Sequence, residues 1–334
     1  MRISFSACKQ AEPLVNYQGG FNLMGPLLSW RRKDKVVIVM GATGTGKSRL
    51  AIDLATRFPA EIVNSDKIQV YEGLDVVTNK VNEEECRGVP HHLLGIVDPN
   101  SNFTAMNFRH HASLALESIV DRDRLPIIAG GSNSYIKALV NDDVGFRSKY
   151  ECCFLWVDVS LPVLRSFVSE RVDRMVEAGF VDEVRRIFDP EADYSRGIRK
   201  AIGVPELDLF FRCEGLADEK TRARLLEAAI AKIKEHTCDL ACSQLQKIHK
   251  LKNIRGWNLH RLDATEAFLK RRGKSADEAW QNLVAGPSTM IVKQFLYGED
   301  YLGTIPAKPD TAAVMAAATA APIPMAAAVA AASH

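Results

Sequence analysis

Residues 41–48 read Gly-Ala-Thr-Gly-Thr-Gly-Lys-Ser, a glycine-rich run closed by a lysine and a hydroxyl side chain. Such glycines let backbone N–H groups close around phosphate oxygens, Lys47 adds a point charge, and Ser48 can hold Mg²⁺. An apolar stretch (36–40) precedes the run and a helical pattern (48–58) follows it, the context that a phosphate-cradling loop requires. Gly41, Ala42, Thr43, Gly44, Thr45, Gly46, Lys47 and Ser48 are therefore the expected polyphosphate cradle. The motif does not say which polyphosphate is held or what becomes of it.

A second candidate follows the next apolar stretch, in Asn64-Ser65-Asp66-Lys67-Ile68-Gln69-Val70-Tyr71. A carboxylate at the end of the strand after the phosphate-loop helix points into the site. Asp66 can serve there as a base toward an acceptor hydroxyl or toward an amine. Asp158 also ends a strand, but Val159-Ser160 follows with no catalytic glutamate, so it stays outside the catalytic set. Seven cysteines, an odd number, are scattered along the chain, which suits a reducing compartment better than a disulfide scaffold. Cys238 and Cys242, with His236 and His249 nearby, lack a second pair at zinc-ligand spacing and are read as helix packing.

The elements that must position these residues alternate. Strands are expected at 36–40, 61–64, 93–97, 126–129, 154–159 and 257–262, with helices at 48–58, 103–122 and 135–140. This implies a phosphate-loop α/β fold: a parallel sheet with helices on both faces and ligands beyond the carboxyl ends of the strands. After Ser160 the pattern turns helical (161–178, 181–188, 206–212, 220–249), read as a smaller helical lid over that same end. The expected organisation is a leader at 1–33, a core at 34–160, a helical part at 161–255, a return to the core at 256–304 and an Ala/Pro-rich tail at 305–334.

Hydrophobic content of 47% and charged content of 25% are those of an ordinary globular enzyme. No apolar run reaches the roughly 20 residues of a membrane span, so no membrane partner is expected. The net charge of +2 carries no global polyanion signal, although residues 195–275 hold 18 Lys/Arg against 10 Asp/Glu. The leader carries Ser, Arg and Lys with Glu12 as its single acid, resembling an organelle transit peptide. The expected location is a plastid, otherwise the cytoplasm, and the expected form is a monomer.

From about Lys35 to Leu296 the chain resembles the dimethylallyl (isopentenyl) transferases that act on adenine N6. The likeness rests on residues 41–48 and 64–71, Pro-His-His-Leu-Leu at 90–94, Phe-Thr-Ala-Met-Asn-Phe-Arg at 103–109, Ile-Ile-Ala-Gly-Gly-Ser-Asn-Ser-Tyr at 127–135 and Ile-Arg-Lys-Ala-Ile-Gly-Val-Pro-Glu at 198–206. Six such segments in order are specific, and the nearest likeness is to the plant adenylate isopentenyltransferases. The resemblance implies that the loop cradles the diphosphate of dimethylallyl diphosphate as a leaving group, with Mg²⁺ on Ser48 and no phosphoryl transfer. It further implies that Asp66 takes the proton from N6, that Thr78 contacts adenine, and that Arg199 completes the clamp on the diphosphate.

The acceptor is the main fork. A tRNA-modifying enzyme needs a basic channel with aromatic stacking platforms, yet aromatics are only 7% and few interleave with the basic stretch. Val204-Pro205, the segment 237–246 and the tail also look like the adenylate type, so a free nucleotide is expected and nucleic acid is not. The plant-type likeness implies ADP or ATP over AMP, with Lys220, Arg222 and Arg224 as candidate cations for the extra phosphates. The alternatives are a tRNA dimethylallyltransferase and a small-molecule phosphate-loop kinase.

Overall fold

The central strand explains the architecture. β1 (Asp34–Met40) is fully buried from Val36 to Met40, because helices cover both faces of a parallel sheet and leave no side of the strand to water. Its side chains alternate between two cores: Val36, Ile38 and Met40 enter one, Val37 and Val39 the other. The structure is a computed structural model that describes residues 33–253, 257–271 and 273–298. The expected tail, and the expected leader apart from Lys33, lie outside the described residues.

β1 leads through the loop into α1 (Lys47–Ala55) and β2 (Ala60–Asn64). After α2 (Glu83–Cys86) and β3 (His91–His92), α3 (Ala105–Val120) returns the chain to β4 (Leu125–Ala129). α4 (Asn133–Val140) and α5 (Val144–Lys149) precede β5 (Tyr150–Asp158). The helical stretch is α6 (Leu161–Glu177), α7 (Phe180–Ile187), α8 (Asp208–Cys213) and the 34-residue α9 (Glu219–Lys252). β6 (Leu259–Asp263), α10 (Thr265–Leu269), α11 (Lys274–Trp280) and α12 (Gly286–Tyr297) end the described chain.

All strand pairs are parallel, in the order β3-β2-β4-β1-β5-β6. The chain moves from β1 toward one edge, then returns across β1 to build the other. The crevice at that reversal lies beyond the carboxyl ends of β1 and β4, where such sheets bind ligands.

Two expected elements are corrected. The strand expected at 93–97 is instead His91–His92, paired with Ile62 and Val63. Leu93 (φ 60°) and Gly95 (φ 61°) are left-handed and turn the chain out of the ladder, and Val97 makes only an isolated bridge to Tyr71. Leu93 is apolar because it is buried in the core, not because it lies in a strand. α1 ends at Ala55 rather than Phe58, the last three residues forming a turn whose N–H groups close onto Ile52 and Leu54. The expected change at residue 160 is a change of element type, since the described residues cluster as one compact unit.

Candidate active site

The loop after β1 is built on its own carbonyls. Ala42 O accepts from the Thr45 N–H (3.3 Å), the Thr45 hydroxyl (3.0 Å) and the Lys47 ammonium (2.6 Å). Gly46 caps α1 with φ 89°, and a Cβ there would stand 2.7 Å from Cη2 of Trp280. Only glycine satisfies both the conformation and the contact. Thr43, Gly44, Gly46, Lys47 and Ser48 line a cavity of about 1080 Å³, whereas Gly41, Ala42 and Thr45 shape the loop from behind. That volume is at the upper end for a small-molecule site, enough for two ligands together.

Asp66 lines the same cavity from the end of β2. Its Oδ1 accepts from the Ile68 and Gln69 N–H groups at 2.9 and 3.3 Å, which fixes the carboxylate, while Oδ2 has no hydrogen-bond partner among the described residues. Thr78 also lines the cavity, its hydroxyl donating to Leu74 O at 2.7 Å and leaving lone pairs available. The loop bearing Thr78 is tied down by Glu183 of α7, which accepts from the Val77 N–H at 2.8 Å, and by Gln69 Nε2, which donates to Thr78 O at 3.0 Å.

Positive charge is concentrated here at an energetic cost. Burial pushes the Lys47 ammonium down to about 8; Asp66 opposes that shift and Arg171 adds to it. Arg171 of α6 is itself pushed down to about 10 by burial and by Arg174, and stays charged at neutral pH. Its Nη2 donates to Thr43 Oγ1 at 3.0 Å, and its buried Nε has no partner among the described residues. Two desolvated cations and one fixed carboxylate describe a site prepared for an anion beside a proton acceptor.

The family described as "IPP transferase" matches residues 69–146 and 142–250. The chain belongs to the IPP transferase family. Adenylate isopentenyltransferase 5, chloroplastic, of Arabidopsis thaliana is 66% identical over 307 residues, covering 90% of this chain and 92% of its own. Adenylate isopentenyltransferase 7, mitochondrial, of Arabidopsis thaliana is 54% identical over 304 residues, covering 90% and 92%. Among solved structures, a eukaryotic dimethylallyltransferase acting on tRNA aligns with TM-score 0.68 at 24% identity over 79% of this chain and 80% of its own. The tRNA isopentenylpyrophosphate transferase of Bacillus halodurans aligns with TM-score 0.62 at 24% identity over 79% of this chain and 100% of its own, and both alignments speak to fold alone.

In this IPP transferase, three sequence expectations meet in one cavity: the loop, Asp66 and Thr78. Others do not. Arg199 lies in a 3₁₀ turn, Gly197–Lys200, outside the cavity lining, with its Nη1 donating to Asn100 Oδ1. Ile198 is buried in the core, and that turn sends Lys200, not Arg199, to the cavity wall. Lys220, Arg222 and Arg224 are exposed at the start of α9, while α9 first reaches the cavity at Ile233. The nearest of the three is nine residues away, about 13 Å along a helix.

Sequence reading missed Arg171 and Gln244, which both line the cavity. Arg171 falls at the spacing of Leu164, Val168 and Met175, inside the apolar stripe of α6, an irregularity that marks the position without saying what it faces. Asp158 belongs to the framework, accepting from Arg261 Nε at 2.7 Å. Among the described residues no group of three His, Cys, Asp or Glu side chains is placed to hold a metal, and no helix is long and apolar enough to cross a membrane.

Proposed function

We propose that this protein transfers the dimethylallyl group of dimethylallyl diphosphate to N6 of the adenine of ADP or ATP, and less well of AMP, the first step of cytokinin formation. The observation that carries this reading is the shared cavity, in which a diphosphate cradle and a carboxylate with one unengaged oxygen face the same space. The names of the relatives support the acceptor class.

In the reaction the C1–O bond of the donor breaks, the C1–N6 bond forms, and diphosphate leaves with the bonding electrons. Lys47, Arg171 and the loop N–H groups stabilise the charge that builds on the diphosphate, the point at which electrostatic stabilisation acts most strongly. Asp66 accepts the proton that N6 sheds as it is alkylated. The Ser48 hydroxyl lines the cavity with no protein partner among the described residues, and no carboxylate cluster competes with it. Ser48 is the residue that would hold a Mg²⁺ at this position. Such an ion would add positive charge at the leaving group.

Extra acceptor phosphates need cations, and the support for them lies at Lys67, Lys200 and Lys247 rather than at 220–224. Burial lowers the Lys67 ammonium, and the neighbouring Lys247 and Lys200 lower it further. Lys67 and Lys200 line the cavity, Lys247 adds positive charge beside Lys67, and a polyphosphate relieves that repulsion.

The relative labelled chloroplastic, with the leader composition, supports a plastid location, tested by import of a fusion carrying residues 1–33; uptake by mitochondria, the label of the other relative, would overturn it. The function is tested by mass spectrometry of the products when AMP, ADP, ATP and an unmodified tRNA are offered together with the donor. Prenylated ADP and ATP are expected. Prenylated tRNA as the main product would overturn the acceptor, and phosphorylated products would revive the kinase.

A further inference from the structure

Gln244 has no part in the chemistry above, yet it joins the two halves of the cavity. α9 buries Ile233, Thr237, Ala241, Ile248 and Leu251, and Gln244 sits among them at 8% exposed. A buried amide is costly unless both of its ends are bonded. Both ends are bonded here: Oε1 accepts from the Thr43 N–H at 2.7 Å, and Nε2 donates to Gly131 O at 3.0 Å. The partners dictate the orientation, because a backbone N–H only donates and a carbonyl only accepts. The seat is tight. A Cβ on Gly131 would stand 2.5 Å from Nε2, and Asn133 Nδ2 donates to the Gln244 carbonyl at 3.2 Å.

The turn that Gln244 grips also carries the acceptor side. The Ser132 N–H donates to Ser65 O at 3.2 Å, and Ser132 Oγ accepts from the Lys67 N–H at 3.0 Å. Those two bonds bracket Asp66. A continuous line of hydrogen bonds therefore runs from the phosphate loop at Thr43, through Gln244 and Gly131, to the segment that holds the carboxylate. The Thr43 N–H is at the same time withdrawn from the donors offered to the diphosphate.

We propose that Gln244 is a positioning residue for prenyl transfer, holding the departing diphosphate and the Asp66 carboxylate at a fixed separation. The inference rests on the function proposed above. It uses no contact between Gln244 and either substrate; the amide acts through Thr43 and Gly131. Misplacement by about 1 Å is enough to cost on the order of 10²-fold in rate.

The test measures kcat and KM for both substrates in Gln244→Leu, Asp66→Asn and the double variant, with melting curves alongside. Gln244→Leu is expected to lose about 30- to 100-fold in kcat, with both KM values within about threefold and a cooperative melt retained. Because the separation that the amide holds matters only while Asp66 can take the proton, its loss should cost much less in the Asp66→Asn background than in the wild type. A purely structural residue would lose the same factor in both backgrounds. Wild-type kcat in Gln244→Leu, or full additivity of the two losses, overturns the inference. If the leucine variant does not fold, Gln244→Glu, which keeps the shape but sets a carboxylate oxygen against Gly131 O, gives the same reading. Wild-type enzyme that transfers no prenyl group sinks the proposed function instead, so the two failures are told apart.

Discussion

Asp66 carries two duties on two oxygens, and each can be addressed separately. Oδ1 holds a turn through the Ile68 and Gln69 N–H groups, and in the proposed reaction Oδ2 takes the proton. Asp66→Asn keeps an acceptor for the turn and removes the base, so kcat should fall on the order of 10²–10⁴ with the melting midpoint unchanged. Steady-state kinetics with calorimetry decides this. Lys47 shows the opposite balance between function and stability. Its ammonium lies at about 8 in the fold against 10.5 ordinarily, so between those values the unfolded chain binds the extra proton. The buried charge therefore costs stability below pH 8, and that cost is relieved as pH rises toward 10.5. Lys47→Met should raise stability at pH 7 by on the order of 1–3 kcal/mol, with the gain fading above pH 8, while donor binding is lost. Urea unfolding across that pH range gives the sign. Lys47 and Asp66 were legible in the sequence because each follows an apolar strand at a motif position. Arg171 and Gln244 were not, because a polar residue inside an apolar helical stripe acquires its meaning only when the opposing element is known.

At the scale of elements, the two helices that cross the site serve different ends of the reaction. α6 brings Arg171 to the loop, and α9 brings Gln244 to the loop and carries Lys247, whose charge is felt by Lys67. The basic excess of residues 195–275 was legible as a count but not as a location. Lys220, Arg222 and Arg224 follow Asp218, whose carboxylate caps α9 by accepting from the Thr221 N–H at 2.7 Å, and their stretch is solvated. Neutralising Lys200 and Lys247 together should raise KM for ADP and ATP several-fold more than for AMP, with ATP use the most sensitive to salt. The same treatment of Lys220, Arg222 and Arg224 should leave all three nucleotides as in the wild type. Initial-rate measurements on the two sets of variants separate the alternatives. The mistaken strand at 93–97 has a related cause. An apolar run fits a strand and a buried turn equally well, and only the left-handed backbone at Leu93 separates them.

For the whole molecule, the parallel sheet and its two cores followed from the alternation of apolar runs and helical patterns, as did the placement of the loop at the crevice. One edge of that sheet depends on charge. Glu61 of β2 is buried and holds His92, Arg122 and Arg124 around its carboxylate. Burial alone would raise its carboxyl, but hydrogen bonds from Arg122 and His92 outweigh it and hold the group below its ordinary value. Its contribution is thus present above about pH 4.5 and lost as pH falls through the folded value. Arg122→Ala should cost about 1–2 kcal/mol at pH 7 and move the acid-unfolding midpoint upward, read by circular dichroism during titration.

The contact between Gly46 and Trp280 has a consequence in time. The loop leaves the ribosome early, but the indole that packs against it belongs to α11, near the far end of the described chain. At about 5–20 residues per second, the loop waits on the order of 10–50 s for its backing. A nascent chain can lay β1 between its neighbours well before then, but the cradle is finished only after the sheet and the helices up to α11 have been made. Competence to hold a diphosphate is in this sense a late acquisition, conferred on the loop by a residue made long after it.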